Sequence, residues 1–486
     1  MVTTPAVPRA APGYREDDEM RALFATAELA PVAAVGGLAQ AAAGLTAELR
    51  RQGVDVDIVL PDYSGVELAG ERTRPVAVPE WARPAVVRIG EHAVTGELHL
   101  VETRGIARSH PYLRPDGTGW PDNAGRFLAF SQAIAALVTE TRPDVLHLND
   151  WHTGAVLAAL STPPPSVLSL HNLAYQGVTD RSWLHRLGPR AEHYEWWGGT
   201  NPLSGAIALA DKVVAVSPNY AQEILTPDGG FGLDGPLRHR WADVSGIRNG
   251  IDQGVWDPAT DRHLTATYAI DDGVAAVLAA KEANRRALGT RFGWPDDGTP
   301  LASMVTRLTA QKGVDLVAPI VPVLRQIPLR LAVLGAGEAA IAAGLAAMAA
   351  DHPDRFAFVE GYDEELSHRL FAAADVYLVP SRFEPCGLTQ MQAMRYGAIP
   401  VVTDVGGLHD TVPDADEHRD GNGFVADRVD AVALVSALFR ASRCLADRRR
   451  RSALVRRIMT RDWSWREPAA EYINLYGGLG ASNFRR

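Results

Sequence analysis

Short apolar runs alternate with longer stretches of helical periodicity along the whole chain, a pattern that predicts an α/β protein built on parallel sheets. In the first half the runs 23–27, 56–60, 145–148, 166–170 and 212–216 read as strands, with helical patterns over 38–51 and 127–139 between them. In the second half the strands are expected at 302–305, 331–334, 357–360, 376–379 and 400–403, and the alanine-rich stretch 339–350 reads as a helix. Turn formers from Asn249-Gly250-Ile251-Asp252 to Pro258 mark a hinge. Each half then forms its own doubly wound sheet, and ligands are expected beyond the carboxyl ends of the strands, in the cleft between the halves. The length of 486 residues suits two cores of roughly 200 residues each.

The richest chemistry follows the run 376–379. Pro380-Ser381-Arg382-Phe383-Glu384-Pro385-Cys386-Gly387-Leu388-Thr389-Gln390 places a carboxylate, a glycine and a hydroxyl on one loop, and Gly406-Gly407-Leu408 opens another helix soon after. Helix N-termini with free N–H groups favour phosphate, so this pairing suits a nucleotide-activated substrate. The run 302–305 leads into Arg307 and Lys312, a forked and a point cation able to meet a diphosphate. The run 166–170 leads into His171-Asn172-Leu173-Ala174-Tyr175-Gln176-Gly177, hydrogen-bonding groups beside an aromatic ring, a palette for sugar. After 145–148 stands Asn149-Asp150-Trp151-His152, where Asp150 reads equally as a hydroxyl acceptor or as the N-cap of a helix starting at Trp151.

Other signals carry less. Gly335-Ala336-Gly337 lacks a complete dinucleotide fingerprint, which argues against an NAD-dependent oxidoreductase, and it reads equally as a close nucleotide approach or a tight turn. Asp55-Val56-Asp57 mimics a metal-binding acid pair, but it opens an apolar run, and neither zinc nor another metal site is expected. The net charge of −10 disfavours a nucleic-acid partner, and the run Arg448 to Arg451 reads as a solvated helix face. Cys386 and Cys444 are the only cysteines, fitting a reducing cytoplasm. The apolar runs fall short of the roughly 18 residues of a membrane helix, and the first 19 residues read as a disordered extension without a signal-peptide core.

From residue 20 to about 476 an ordered series of motifs resembles the glycogen and starch synthases. It runs through Gly36-Gly37-Leu38-Ala39, Asp122-Asn123 with Arg126-Phe127, Asp150-Trp151-His152, the His171 loop, Ala215-Val216-Ser217-Pro218 and Asn249-Gly250-Ile251-Asp252. The 307–313 segment, the Glu384 loop, Gly406-Gly407-Leu408 and Asp462-Trp463-Ser464-Trp465 complete it. The resemblance implies two facing Rossmann-like domains, the GT-B fold. The expected division is a tail at 1–19, an acceptor-side domain at 20–257, a nucleotide-sugar domain at 258–463, and a last helix at 464–486 returning to the first domain.

It also implies retaining, metal-independent hexosyl transfer without a cofactor, from a nucleotide sugar (ADP-glucose in this family) to the 4-hydroxyl of an α-1,4-glucan. By position, Arg307 and Lys312 would neutralise the leaving diphosphate with help from the amides of Gly406, Gly407 and Leu408. Glu384 would hold the sugar, and backbone groups of Cys386, Gly387, Leu388 and Thr389 would bind the donor, together with Gly36, Gly37 and Asn249. His171 would support the transition state from the opposite domain, and Asp150, Asn172, Tyr175 and Gln176 would contact sugar. The chain departs from the family at Ala34, Gln40 and Ser204, where a lysine, an aspartate and a lysine are usual. Those departures admit a second expectation: transfer of a modified sugar or cyclitol from another nucleotide, giving acarbose-like pseudo-oligosaccharides. A third is a noncatalytic glucan- or nucleotide-binding paralogue, against which the joint presence of Glu384, Arg307, Lys312 and His171 weighs.

Overall fold

A computed structural model describes residues 20–483. The predicted disordered tail lies outside the described residues. In chain order the first half forms β1 (Arg21–Ala25), β2 (Asp55–Pro61), β3 (Ala69–Pro75), β4 (Ala85–His92), β5 (Gly96–Thr103), β6 (Val145–Asn149) and β7 (Ser166–Leu170). Three two-residue strands follow, β8 (Thr179–Asp180), β9 (Glu195–Trp196) and β10 (Gly199–Thr200), then β11 (Lys212–Ala215) and β12 (Val244–Gly246). The second half contributes β13 (Leu301–Leu308), β14 (Arg330–Gly337), β15 (Phe356–Glu360), β16 (Val376–Val379), β17 (Ile399–Thr403) and β18 (Phe424–Ala426).

Nine strands form the first sheet in the order β12-β11-β7-β6-β1-β2-β5-β4-β3, and six form the second in the order β15-β14-β13-β16-β17-β18. The second sheet is wholly parallel. The expected α/β fold class therefore holds. The addition is at one edge of the first sheet, where β4 runs antiparallel to both β3 and β5. Along β4 buried positions alternate with partly buried ones, and β3 lies almost wholly in solvent. The central strands β6, β7 and β17 are buried at every position, as continuous apolar runs covered by helices on both faces should be.

Topology then locates the sites. Among the parallel strands the order switches direction between β1 and β6 in the first sheet and between β13 and β16 in the second, and a crevice opens at the carboxyl ends there. β1 and β6 lead to the Gly36 loop and to Asn149-Asp150; β13 and β16 lead to Arg307-Lys312 and to Glu384.

Two passes of the chain lie side by side between the halves. The Ile251 N–H donates to the Trp463 carbonyl at 2.8 Å, and the Arg248 guanidinium lies 5.3 Å from the Trp463 ring. After Trp465 the helix Arg466–Asn483 packs on the first sheet: the Tyr472 hydroxyl meets Ser169 Oγ at 3.1 Å, and the Tyr476 hydroxyl meets His147 Nδ1 at 2.5 Å.

Candidate active site

Glu384 is the buried centre of the second crevice. Its carboxylate accepts two hydrogen bonds from Lys312 Nζ, at 2.6 and 2.8 Å, and one from Ser381 Oγ at 2.8 Å. Lys312 can reach it because the 307–313 segment is tied to the same loop: Arg382 N–H donates to the Gln311 carbonyl at 2.8 Å, and Gln311 Nε2 to the Phe383 carbonyl at 3.3 Å. β13 runs three residues further than the apolar pattern suggested, so Arg307 stands on the strand's last turn of pleat beside Ala336. Gly335 and Gly337 are accordingly ladder residues of β14 rather than the tight turn that the pattern offered. The Arg307 guanidinium is exposed and makes no ion pair among the described residues.

The Gly406 turn departs from expectation. Its three amides are already engaged: Gly406 N–H donates to Glu223 Oε1 at 2.7 Å, Gly407 N–H to the Glu384 carbonyl at 2.9 Å, and Leu408 N–H to the Val405 carbonyl at 3.0 Å. The glycines serve close packing instead. A Cβ on Gly406 or Gly407 would lie 2.0 Å from the Glu384 carbonyl oxygen or 2.2 Å from that of Cys386. By contrast, the amides of Gly387, Leu388 and Thr389, at the start of the helix Thr389–Arg395, donate to nothing among the described residues. Their N–H groups are thus open to an acceptor from outside the fold, as those of a helix N-terminus are. Gln390 Nε2 holds their loop through the Cys386 and Gly387 carbonyls, at 3.2 and 2.8 Å. The Cys386 thiol is buried and pushed up to about 12, so it stays protonated and contributes backbone rather than a nucleophile.

Across the cleft, His171 is held on two sides. Its N–H donates to Asp150 Oδ1 at 2.7 Å, and its Nε2 lies 2.8 Å from Asn149 Oδ1. Asn149 donates its own amide to the Ala25 carbonyl at 2.9 Å, so Oδ1 is an acceptor and His171 Nε2 carries the proton. Burial pushes the imidazole down to about 4, leaving it neutral with Nδ1 as a lone-pair acceptor. Asn149, not Asp150, occupies the N-cap position of the helix Asp150–Gly154. Asp150 instead reaches to the neighbouring strand end and accepts from both His171 and Asn172 N–H groups.

Burial pushes the Asp150 carboxyl up to about 7 from 3.8, against the pull of those two donors. A folded-state value above the unfolded one means that the native state holds the extra proton, so this group's contribution is greatest at low pH and fades as pH rises through 7. Asp150→Asn keeps the acceptor oxygen and removes the charge. Its stability gain over wild type in urea unfolding is expected to grow by on the order of 2–3 kcal/mol between pH 5 and pH 8. A gain that stays constant across that range would contradict the burial of this charge.

Other expected sugar contacts divide. Tyr175 is half exposed and available. Asn172 turns its Oδ1 onto the Ala174 N–H at 3.1 Å, leaving its amide nitrogen. Gln176 is corrected to a brace: its Nε2 donates to the Phe231 carbonyl at 2.9 Å, and its Oε1 accepts from Asn201 Nδ2 at 2.8 Å. Asn249 is buried, and its backbone N–H is directed at the Cys386 sulfur.

A relay of contacts brings the two crevices together. Leu173 N–H donates to the Tyr220 hydroxyl at 3.0 Å, and the helix carrying Tyr220, Pro218–Glu223, ends in the carboxylate that takes the Gly406 N–H. Ser217 Oγ donates to the Pro385 carbonyl at 2.7 Å, and the Phe231 and Phe383 rings meet at 5.1 Å. The glycine-rich first loop belongs to the same cleft, Gly37 lying against Leu388. Glu28, which the sequence did not single out, accepts from the Val35 and Gly36 N–H groups at 2.9 Å each and from the Tyr112 hydroxyl at 2.8 Å. Gly36 thus offers its amide to a carboxylate, while Gly37 begins the helix Gly37–Arg51. Asn149, Ser381 and Glu223 were also missed; the usable signal was a polar residue just beyond a buried strand or on the first helix after one.

Residues 21–239 match the starch synthase catalytic domain model, and residues 291–456 match that of glycosyl transferases group 1. A glycogen synthase of Halorhodospira halophila is 42% identical over 95% of this chain and 100% of its own length, and one of Rhodopseudomonas palustris is 40% identical over 95% and 98%. This chain belongs to the glycogen synthase family. Its structure superposes on the catalytic domain of starch synthase IV from Arabidopsis thaliana, bound to ADP and acarbose, with a TM-score of 0.86, 32% identity, and 96% and 100% coverage. A sucrose-phosphate synthase from Thermosynechococcus elongatus, 20% identical with a TM-score of 0.62, shares the fold. As a glycogen synthase family member the chain is a hexosyltransferase with the GT-B arrangement. Its three departures sit in distinct places. Ala34 is exposed, Ser204 is buried on the helix Pro202–Leu209, and Gln40 accepts from Gln392 Nε2 of the opposite half at 3.1 Å.

Proposed function

We propose that this protein transfers glucose from ADP-glucose to the nonreducing 4-hydroxyl of an α-1,4-glucan with retention of configuration. The observation that carries this reading is the Lys312–Glu384 ion pair, with Arg307, which makes no ion pair among the described residues, at the end of the same β13 segment and a neutral His171 on the other half. Breaking the glycosyl–phosphate bond builds negative charge on the diphosphate and positive charge at the anomeric carbon. Arg307, Lys312 and the amides of Leu388 and Thr389 meet the first; Glu384 and the His171 lone pair meet the second. A neutral imidazole places no competing cation beside the developing oxocarbenium. The names of the relatives, and the ADP and acarbose bound to the plant enzyme, support a nucleoside diphosphate donor and a glucan acceptor.

In this reading residues 20–257 form the acceptor side, 258–463 the donor side, and the helix Arg466–Asn483 returns to the first half, all working in the cytoplasm. The Gln40–Gln392 contact favours a second reading, in which the first loop, with Ala34 and Gln40 in place of charged residues, admits another nucleotide or a modified sugar. A panel of nucleotide sugars with maltose and glycogen as acceptors separates the two. Efficient ADP-glucose-dependent elongation of glycogen is the expected result, and preference for a different donor would replace the first reading by the second. Ala34→Lys is expected to tighten the donor KM severalfold if a diphosphate lies near that loop, measured by initial rates at saturating acceptor.

A further inference from the structure

Between the His171 loop and the helix Pro202–Leu209 the chain forms a small antiparallel sheet, in the order β8-β10-β9. β9 and β10 pair with Trp196 opposite Gly199, so Trp197 and Gly198 alone make the turn. Both have positive φ, 49° and 80°. Such a two-residue turn favours asparagine, aspartate or glycine at its first position, and a bulky side chain there is unfavourable. The ring gains nothing from burial to offset this: Trp197 is 90% exposed. Strain and exposure at one large aromatic residue point to a role outside the fold.

The turn presents the ring on a firm support. Glu195 Oε1 accepts the Gly198 N–H at 3.0 Å, and the partly buried Trp196 ring stands edge-on at 6.2 Å. β10 pairs with β8, and Asn201, directly after β10, is tied to Gln176 of the His171 loop. The hairpin is therefore continuous with the proposed acceptor side of the cleft. Within the hairpin the engaged Glu195 and two glycines leave Trp196 as the other large apolar side chain, whereas a protein interface needs on the order of 1,000 Å² or more. A pyranose face, whose C–H bonds complement the electron-rich indole and whose hydroxyls stay in water, needs only such a ring.

We propose that Trp197 is a docking platform for an α-1,4-glucan chain, holding polymer outside the cleft while its end is extended. The inference rests on the glucan acceptor proposed above. Its test is Trp197→Asn, with Trp197→Phe as the ring-retaining control, in native gels containing glycogen and in kinetics with glycogen and with maltotriose. Asparagine suits the turn, so melting temperature should hold or rise. Wild type and Trp197→Phe should be retarded by glycogen and Trp197→Asn less so. The half-saturating glycogen concentration should rise about three- to tenfold in Trp197→Asn, with maltotriose kinetics and donor KM unchanged.

Wild type running unretarded, Trp197→Asn matching wild type in the glycogen gel, or Trp197→Phe losing as much as Trp197→Asn would each overturn the platform. So would a change of oligomeric state in Trp197→Asn with glycogen affinity intact. The gel contains no donor. If ADP-glucose transfer is absent while glycogen retardation still depends on the ring, the transfer reading falls and the platform stands; transfer to maltotriose without ring-dependent retardation gives the reverse.

Discussion

Lys312→Ala and Arg307→Ala should each lower kcat by about a hundredfold or more, because each removes a preorganised cation from a site where diphosphate charge develops, an effect of about 3–4 kcal/mol on the barrier. The two cations are not equivalent. Arg307 is exposed and makes no ion pair among the described residues, so its loss should leave the melting temperature near that of wild type. Lys312 is clamped on Glu384, so its removal leaves a buried carboxylate with Ser381 as its remaining side-chain donor among the described residues and should cost stability as well. Steady-state kinetics beside thermal melts on both variants make the check. Near-normal turnover in both would remove these residues from the chemistry, whatever the melts show.

Glu384→Ala has the second large expected effect. The carboxylate positions Lys312, accepts from Ser381, and sits on the loop whose backbone packs against Gly406 and Gly407. Truncation leaves the ammonium and the hydroxyl without their partner, a loss of about 1–3 kcal/mol in stability, since Lys312 still reaches water. Turnover should fall by more than a hundredfold, as the Lys312 amine is no longer aimed and the anionic counterpart of the sugar's positive charge is gone. Glu384→Gln separates these effects. It can still accept from Ser381 and fills the same space, so it should recover much of the stability and little of the rate. A glutamine variant with wild-type kcat would leave Glu384 a purely structural role.

The strands that carry the site were readable because each is a buried apolar run bounded by turn residues. β7 and β16 fall where the pattern placed them, and β1, β2, β6 and β17 differ at their ends by a residue or two. The edge strand β3 was not readable in the same way, since it is exposed and its place depends on pairing with β4 rather than on its own hydrophobicity. Glu384, Lys312 and His171 drew attention because they stand within five residues of the end of a buried strand, and Arg307 because it closes one.

What the sequence alone determined about this protein was therefore local: where strands end, and which reactive side chains stand there. The tertiary structure decided which of those groups are free to act. The Gly406, Gly407 and Leu408 amides look like phosphate donors in sequence, yet Glu223, the Glu384 carbonyl and Val405 already occupy them. Gln176 looks like a sugar contact, yet Phe231 and Asn201 engage both its ends. His171 is neutral because folding buries it, and its tautomer is defined because Asn149 is itself fixed by Ala25, more than a hundred residues earlier in the chain. Hydrogen-bonding capacity is a property of residue type, but its availability depends on partners that folding brings from distant positions, and no local pattern encodes them.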